Sequence, residues 1–208
     1  MKQKPCGQLL CLMLLTPILN LGVFTPQQSK SDELPSVFNG KDLTGWKVPP
    51  DNVWWTAKDG TLGVKNGPNK KGSVLWTEKE YRNFVMEFEF KMGLGRVDSG
   101  IFVRNENDQI QIGESGSLKR DMTASPYIAS AGGYPVEADG VKDLLKPREW
   151  NQMTIVAKGS NYTVWLNGQY VMNYHSKTAS QRGPLGIQLH GGREMAIDYR
   201  NLKLAELR

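Results

Sequence analysis

The run Glu149–Tyr174, EWNQMTIVAKGSNYTVWLNGQYVMNY, reads as three consecutive β-strands. Its apolar and polar residues alternate with the two-residue period of a strand that has one buried face. Asn167-Gly168 is a typical two-residue hairpin turn, and Lys158–Ser160 provides a looser one. Because the chain reverses direction twice within this run, we expect the three strands to form an antiparallel sheet.

Similar short strands are predicted on both sides of this run. Asp59-Gly60 is a second hairpin turn, inside NVWWTAKDGTLGVKNG, and NFVMEFEFKMG from Asn83 places its phenylalanines on one face and its charges on the other. LGIQLHG and MAIDYRNLKLAEL add two strands near the end of the chain. Many short strands without a long helical pattern predict an all-β jelly-roll sandwich of two antiparallel sheets.

The first residues differ in character from the rest. Lys2 and Lys4 precede the apolar run Leu9–Leu15, as in a secretory signal peptide. We therefore predict a signal peptide over residues 1–25, a disordered lead-in over 26–33 and one domain over 34–208, secreted or periplasmic in a bacterial envelope. In the alternative, the segment stays uncleaved and is the only contact with a membrane.

Composition excludes several kinds of site. Both cysteines, Cys6 and Cys11, fall in the predicted signal peptide, so the mature domain has no disulfide, thiolate metal site or cysteine nucleophile. The formal charge of +5 falls to about +3 once Lys2 and Lys4 are removed, and no basic cluster indicates nucleic acid as a partner. No motif indicates a cofactor or metal, although a calcium ion held by backbone carbonyls would leave little trace.

The hairpin Val97–Ser115, VDSGIFVRNENDQIQIGES, has an unusual polar face. Alternation places Asp98, Phe102, Arg104, Gln109 and Gln111 on one side, opposite Ile101, Val103, Ile110 and Ile112. An acid, an arginine, two amides and a ring together form either a solvated sheet face or a binding site.

Two further features favour a site. The segment Ser115–Val141 is rich in Gly, Ser and Ala and lacks periodicity, and long connections in compact domains are more often functional. It could bring Lys119 or Tyr127 to a ligand, although a solvated loop is the simpler reading. Trp165 has the opposite parity to its core neighbours, so we expect it to face outward, where it could stack on a sugar.

Several quoted runs, together with VFNGKDLTGWKV, DSGIFVR and GPLGIQLHGGREMAIDYRNLKL, occur in the order seen in 3-keto-disaccharide hydrolases, which the chain resembles over roughly Leu34–Leu207. The resemblance implies a secreted or periplasmic concanavalin A-like jelly roll that acts on an oxidised (3-keto) sugar or glycoside. The ketone acidifies the hydrogen on C2, so a base can remove it, the C1 substituent can leave, and water can then add. Such a site needs a base, donors around the C3 oxygen and an acid.

One position departs from the family pattern. Relatives often carry Tyr-Glu-x-Gln where this chain reads Asp108-Gln109-Ile110-Gln111, so an amide replaces the expected carboxylate. Glutamine cannot act as a base at neutral pH. Either Glu114 or Glu89 has taken over that role, or the chain binds a sugar without converting it, as a lectin-like carbohydrate-binding module. A purely structural envelope protein is a third reading.

The resemblance then suggests specific roles. Arg104 would steady the ketone oxygen, with a structural ion pair to Glu89 or Asp98 as the alternative. Proton transfer would fall to Glu89, Glu114 or His190, because histidine readily exchanges protons near neutral pH. The predicted substrate contacts are Asp98, Gln109, Gln111, Lys119, Tyr127 and Trp165.

Overall fold

Thirteen β-strands make up most of the regular structure in a computed structural model, which describes Met1 and residues 33–208. The predicted signal peptide and lead-in lie outside the described residues, apart from Met1 and Glu33, so export stays a prediction. Across the part of the chain that is described, no helix has the length and apolar character needed to cross a membrane.

The strands form two antiparallel sheets, which confirms the all-β sandwich. One sheet has six strands, in the order β1 (Trp46–Lys47), β4 (Ser73–Tyr81), β12 (Gly183–Leu189), β6 (Asp98–Val103), β7 (Asp108–Gly113) and β8 (Pro126–Ile128). The other has seven, in the order β11 (Gln169–His175), β10 (Asn161–Leu166), β9 (Asn151–Lys158), β5 (Phe84–Gly95), β13 (Met195–Glu206), β3 (Thr61–Lys65) and β2 (Trp55–Lys58). Within residues 33–208, helical structure is limited to two 3₁₀ turns, Pro68–Lys70 and Ala129–Ala131, and the single turn α1 (Val141–Leu144).

The core lies between the facing sides of the two sheets. The alternating phenylalanines of β5 point inward, and Phe84, Phe88 and Phe90 are at most 1% exposed. From the six-stranded sheet, the inward side of the β6–β7 hairpin joins the same cluster through Ile101, Val103, Ile110 and Ile112. Each fully buried side chain of this kind contributes about 1.5–3 kcal/mol, so this cluster is the main source of stability.

The predicted hairpin turns are present. Asp59 and Gly60 have φ angles of 48° and 77°, and Asn167 and Gly168 have φ angles of 50° and 81°. Two successive left-handed residues define the turn whose twist suits a two-residue hairpin, and Asn, Asp and Gly tolerate that conformation best. The turns pair β2 with β3 and β10 with β11, as the sequence predicted.

The irregular segment contains a short strand that its composition did not predict. Pro126–Ile128 pairs with the edge of β7 as β8, with Tyr127 opposite Gln109. The rest of the segment is tied down locally: Arg120 forms an ion pair with Glu137, and the Ala138 amide donates to Ser125 Oγ at 2.9 Å. The segment therefore forms a wall beside the outer face of the six-stranded sheet.

Candidate functional site

A cleft of about 560 Å³ lies on the outer face of the six-stranded sheet. Its floor comes from the polar side of β6 and β7 together with β12, and its walls come from the hairpin turn, the segment after β7 and the turn after β12. The lining residues are Asp98, Phe102, Glu106, Gln109, Gln111, Ser115, Gly116, Ser117, Tyr127, Ala129, Tyr134, Gln188, His190 and Arg193.

The middle of the floor is an amide bridge between strands that are not neighbours. Gln109 Nε2 on β7 donates to Gln188 Oε1 on β12 at 2.8 Å, across the intervening strand β6. The residue beneath the bridge is Gly100, where a Cβ atom would lie 2.6 Å from Gln109 Nε2. A side chain there would push the amide away, so the bridge depends on this glycine.

One end of the floor is aromatic. Phe102 stacks on Trp76 of β4, with ring centroids 5.4 Å apart and ring planes at 25°. Gly186 of β12 lies between their strands, and a Cβ there would approach the Trp76 ring to 2.6 Å. The stack supplies a flat apolar surface of the kind that packs against the face of a ring.

The other end of the floor is charged. Asp98 is 3% exposed, and its Oδ1 accepts a hydrogen bond from Gln111 Nε2 at 2.9 Å. Its Oδ2 lies 3.3 Å from Nη2 of Arg193, whose side chain is 18% exposed. Nη1 of Arg193 is buried and has no hydrogen-bond partner among the described residues. Arg193 therefore places at the cleft a guanidinium that is paired with Asp98 and still has one unsatisfied donor.

His190 follows β12 beside this pair. Its amide donates to the Asp98 carbonyl at 3.3 Å, and its ring Nδ1 lies 2.7 Å from the Gly191 carbonyl oxygen. A carbonyl oxygen can only accept, so Nδ1 carries the hydrogen of that bond. In the neutral ring, Nε2 then has the lone pair and can take a proton.

Two tyrosines form the wall opposite. The rings of Tyr127 and Tyr134 meet edge to face, with centroids 5.2 Å apart. Burial raises the pKa of Tyr134 to about 12, and the nearby Asp98 carboxylate adds to that rise. Tyr134 therefore keeps its hydroxyl proton at physiological pH and can donate it in a hydrogen bond.

The structure brings five of the predicted site residues to this cleft: Asp98, Gln109, Gln111, Tyr127 and His190. Asp98, Gln109 and Gln111 lie on the face that alternation assigned to them, His190 follows the end of β12, and Tyr127 reaches the cleft from the unpredicted strand β8.

Arg104 does not join them, and its predicted placement on the same face is wrong. Strand β6 ends at Val103, and Arg104 has a φ of 65°, so the alternation stops one residue early. The side chain is buried, donates to the carbonyls of Arg82 at 3.0 Å and Gly159 at 2.6 Å, and lies over the Tyr162 ring. Neither alternative ion pair forms. Glu89 pairs with Arg200, and Asp98 pairs with Arg193.

The remaining predicted residues also lie outside the cleft lining. Glu89 is on β5 of the other sheet, where the Arg200 guanidinium forms two hydrogen bonds with it and holds its pKa below the ordinary value. Trp165 faces outward on that same sheet. Glu114 pairs with Arg96 at 3.3 Å at the rim, and Lys119 is exposed in the following turn.

Several lining residues were not among the predicted contacts, and they include Gln188, Arg193 and Tyr134. Gln188 lies two residues before His190, on the face that alternation assigns to both, so alternation alone could have selected it. Arg193 and Tyr134 lie in the turn after β12 and in the irregular segment, where no periodicity indicates which way a side chain points. Among the described residues, no three His, Cys, Asp or Glu side chains are grouped closely enough to hold a metal ion.

Two solved structures are similar in fold to this chain. A provisionally assigned glycosyl hydrolase from Parabacteroides distasonis ATCC 8503 shares 24% identity at a TM-score of 0.61, covering 81% of this chain and 96% of its own. The carbohydrate-binding module CBM66 from Bacillus subtilis shares 13% identity at a TM-score of 0.53, covering 83% and 100%. These likenesses show a shared fold.

A search of curated proteins returned no match. By contrast, the family model described as the 3-keto-alpha-glucoside-1,2-lyase-like domain matches residues 34–205, which is most of the chain. The matched range takes in every strand, apart from the last residue of β13, and all residues that line the cleft. The protein therefore belongs to the 3-keto-alpha-glucoside-1,2-lyase-like domain family, whose chemistry concerns carbohydrates.

Proposed function

We propose that this protein hydrolyses 3-keto-glycosides in the outer-face cleft, by elimination across C1–C2 followed by hydration. The observation that carries the proposal is the meeting of an imidazole, a buried carboxylate–guanidinium pair and several amides in one cleft of a member of this family. These groups match the needs of the reaction: a base, a charge for the ketone oxygen, and donors and acceptors for sugar hydroxyls.

In the first step, Nε2 of His190 removes the proton on C2 of the sugar. The electrons of the C2–H bond form an enolate, and the negative charge gathers on the C3 oxygen. Arg193 lies at the same end of the cleft and would stabilise that charge with its guanidinium. Asp98 is the positioning residue for Arg193, since their contact fixes where the guanidinium lies.

In the second step, the C3 carbonyl re-forms, the C1–C2 double bond forms and the C1–O bond breaks. The departing oxygen needs a proton, and Tyr134 is a suitable donor because an alkoxide is a stronger base than a phenolate. Water then adds its oxygen to C1 and a proton returns to C2. The net reaction consumes one water and yields the free keto-sugar and the released alcohol.

Incubation with 4-nitrophenyl 3-keto-glucosides, in both anomeric forms, tests the proposal directly. We expect release of nitrophenol from a keto-substrate and none from the parent glucosides, because only the ketone acidifies C2. Release from the parent glucosides at the same rate would indicate an ordinary glycosidase and contradict the mechanism.

A lectin-like, non-catalytic role is the second candidate, and Gln109 is the observation that favours it. An amide stands where relatives carry an acid, and the floor carboxylate Asp98 is already engaged by Gln111 and Arg193. Calorimetric binding of a 3-keto-glucoside, with neither release nor exchange at C2, would select this role over catalysis.

A further inference from the structure

The outer face of the seven-stranded sheet carries a second group of outward side chains that the cleft does not use. Strand pairing places Tyr170, Trp165, Thr154, Glu87 and Lys203 in one row across five neighbouring strands, from β11 to β13. Four inter-strand spacings make this row about 19 Å long. The face is on the opposite sheet from the cleft.

An aromatic pair forms one end of the row. Tyr170 is 60% exposed, and its ring meets the ring of Trp165 edge to face at 6.0 Å. The pairing of β10 with β11 shifts register between Val164 and Trp165, and this bulge brings Tyr170 directly opposite Trp165. Bulges often redirect side chains in this way, so the pair is a feature of the strand geometry.

A polar groove of about 240 Å³ forms the other end. Here too the pairing is irregular: β13 shifts register against β5 between Arg200 and Lys203, and Asn201 has a φ of 53°. The bulge crowds polar groups onto one face, and Asn201 Nδ2 donates to Glu89. The groove is lined by Glu87, Phe88, Glu89, Gln152, Asn201 and Lys203.

The Glu89 carboxylate of the groove is held in an ion pair, and the charges of the groove balance. Arg200 lies over the ring of Trp150 at 4.1 Å while it binds the Glu89 carboxylate, so neither side chain of the ion pair moves freely. The two carboxylates of the groove face two cations, Arg200 and Lys203. A strongly charged ligand of either sign therefore gains little here.

We propose that this face, the Tyr170–Lys203 row with its groove, binds a neutral oligosaccharide. Sugar rings present apolar C–H faces that pack against exposed aromatic rings, and their hydroxyls both donate and accept hydrogen bonds. The row offers both chemistries in sequence, over a length that spans several sugar rings. Because it lies on the other sheet, the bound chain would leave the cleft open; this proposal does not rest on the function proposed for the cleft.

Calorimetric titration of the purified protein with cellotetraose and with maltotetraose tests the proposal. We expect at least one of them to bind, and Tyr170→Ala to weaken its association about tenfold, as truncation of an aromatic anchor typically does. Tyr170→Phe keeps the ring and is the matched control, expected to bind like the wild type. Nitrophenol release from a 3-keto-glucoside should be the same in all three proteins.

Other outcomes overturn the proposal. Equal affinity in wild type and Tyr170→Ala would place the sugar elsewhere, and binding of neither tetrasaccharide would exclude neutral glucans as the ligand. If neither binds and the wild type dimerises in sedimentation experiments while Tyr170→Ala stays monomeric, the face is a protein interface instead.

Discussion

At the scale of single residues, Arg104 shows why a side chain's face cannot always be read from alternation. Its charge lies over Tyr162, whose hydroxyl donates to the fully buried Asp108 at 2.8 Å. Arg104 also satisfies two carbonyls that would otherwise lose their donor. Its role is therefore structural. The left-handed φ of Arg104 turns its side chain away from the cleft, and the pattern of apolar residues does not predict that φ.

We expect Arg104→Met to destabilise the fold without impairing the cleft. It leaves two carbonyls without a donor and removes the guanidinium that lies over the Tyr162 ring, at a cost of about 2–4 kcal/mol in the free energy of unfolding. Urea unfolding and turnover per folded molecule are the measurements. The matched control is the exposed arginine Arg182, where Arg182→Met should change neither. A large loss of turnover in folded Arg104→Met would contradict this role and indicate that Arg104 takes part in catalysis.

The pair Asp98–Arg193 calls for a double-mutant cycle. Asp98→Asn removes the charge that faces a mostly buried guanidinium, so we expect about 3 kcal/mol of destabilisation. Arg193→Met in that background removes the isolated cation. The double variant should therefore lose less unfolding free energy than the sum of the losses in the two single variants. Both changes should abolish most turnover. Strict additivity of the two losses would mean that the pair is not coupled.

At the scale of elements, the sequence predicted strands and turns well and the long connection poorly. Alternation assigned the core and outer faces of β6 and β7 correctly, because apolar side chains face the core and polar side chains face the cleft, which leaves a two-residue period. The bulges of β10 and β13 and the short strand β8 break that period. Arg193 and Tyr134 follow from tertiary contacts alone, so their place in the cleft could not be predicted.

Gly100 of β6 gives the amide bridge the space that it needs. A Cβ there would lie 2.6 Å from both Gln109 Nε2 and the Ile110 carbonyl oxygen, so Gly100→Ala must displace the amide bridge and part of the backbone. We expect the free energy of unfolding to fall by about 1–3 kcal/mol, with a loss of turnover. In β3, Gly63 is the matched control, because its Cβ would meet only side-chain atoms of Thr56 and Asp198. Equal effects of Gly63→Ala and Gly100→Ala on turnover would argue against a role for the bridge.

At the scale of the whole molecule, buried tyrosines couple stability to alkaline pH. Burial raises the pKa of Tyr134 to about 12 and also raises the pKa values of Tyr162 and Tyr199 above the ordinary 10. The unfolded chain thus releases these protons near pH 10, while the folded chain retains them. The stability from this difference is complete below pH 10 and declines as the pH rises through the folded-state values.

We therefore expect the free energy of unfolding to fall above pH 10, by about 1.4 kcal/mol per pH unit for each such tyrosine. Guanidinium unfolding at pH 9, 10 and 11 measures the slope. Tyr199 is fully buried, and its hydroxyl is hydrogen-bonded to the Ser99 hydroxyl at 2.7 Å. Tyr199→Phe removes this titrating group, so the free energy of unfolding should fall less steeply with pH. An unchanged slope in that variant would contradict the assignment.

The proposed reaction begins with removal of the C2 proton of a 3-keto-glycoside in the outer-face cleft. Exchange of that hydrogen for deuterium in D₂O, followed by NMR, is the most direct measurement, because it reports the first step even where the bond to the leaving group survives. The wild type should exchange C2, and His190→Asn should slow exchange by at least about 100-fold while the exposed position leaves folding intact. Exchange at an undiminished rate in folded His190→Asn, or no exchange in the wild type, would contradict the proposed mechanism.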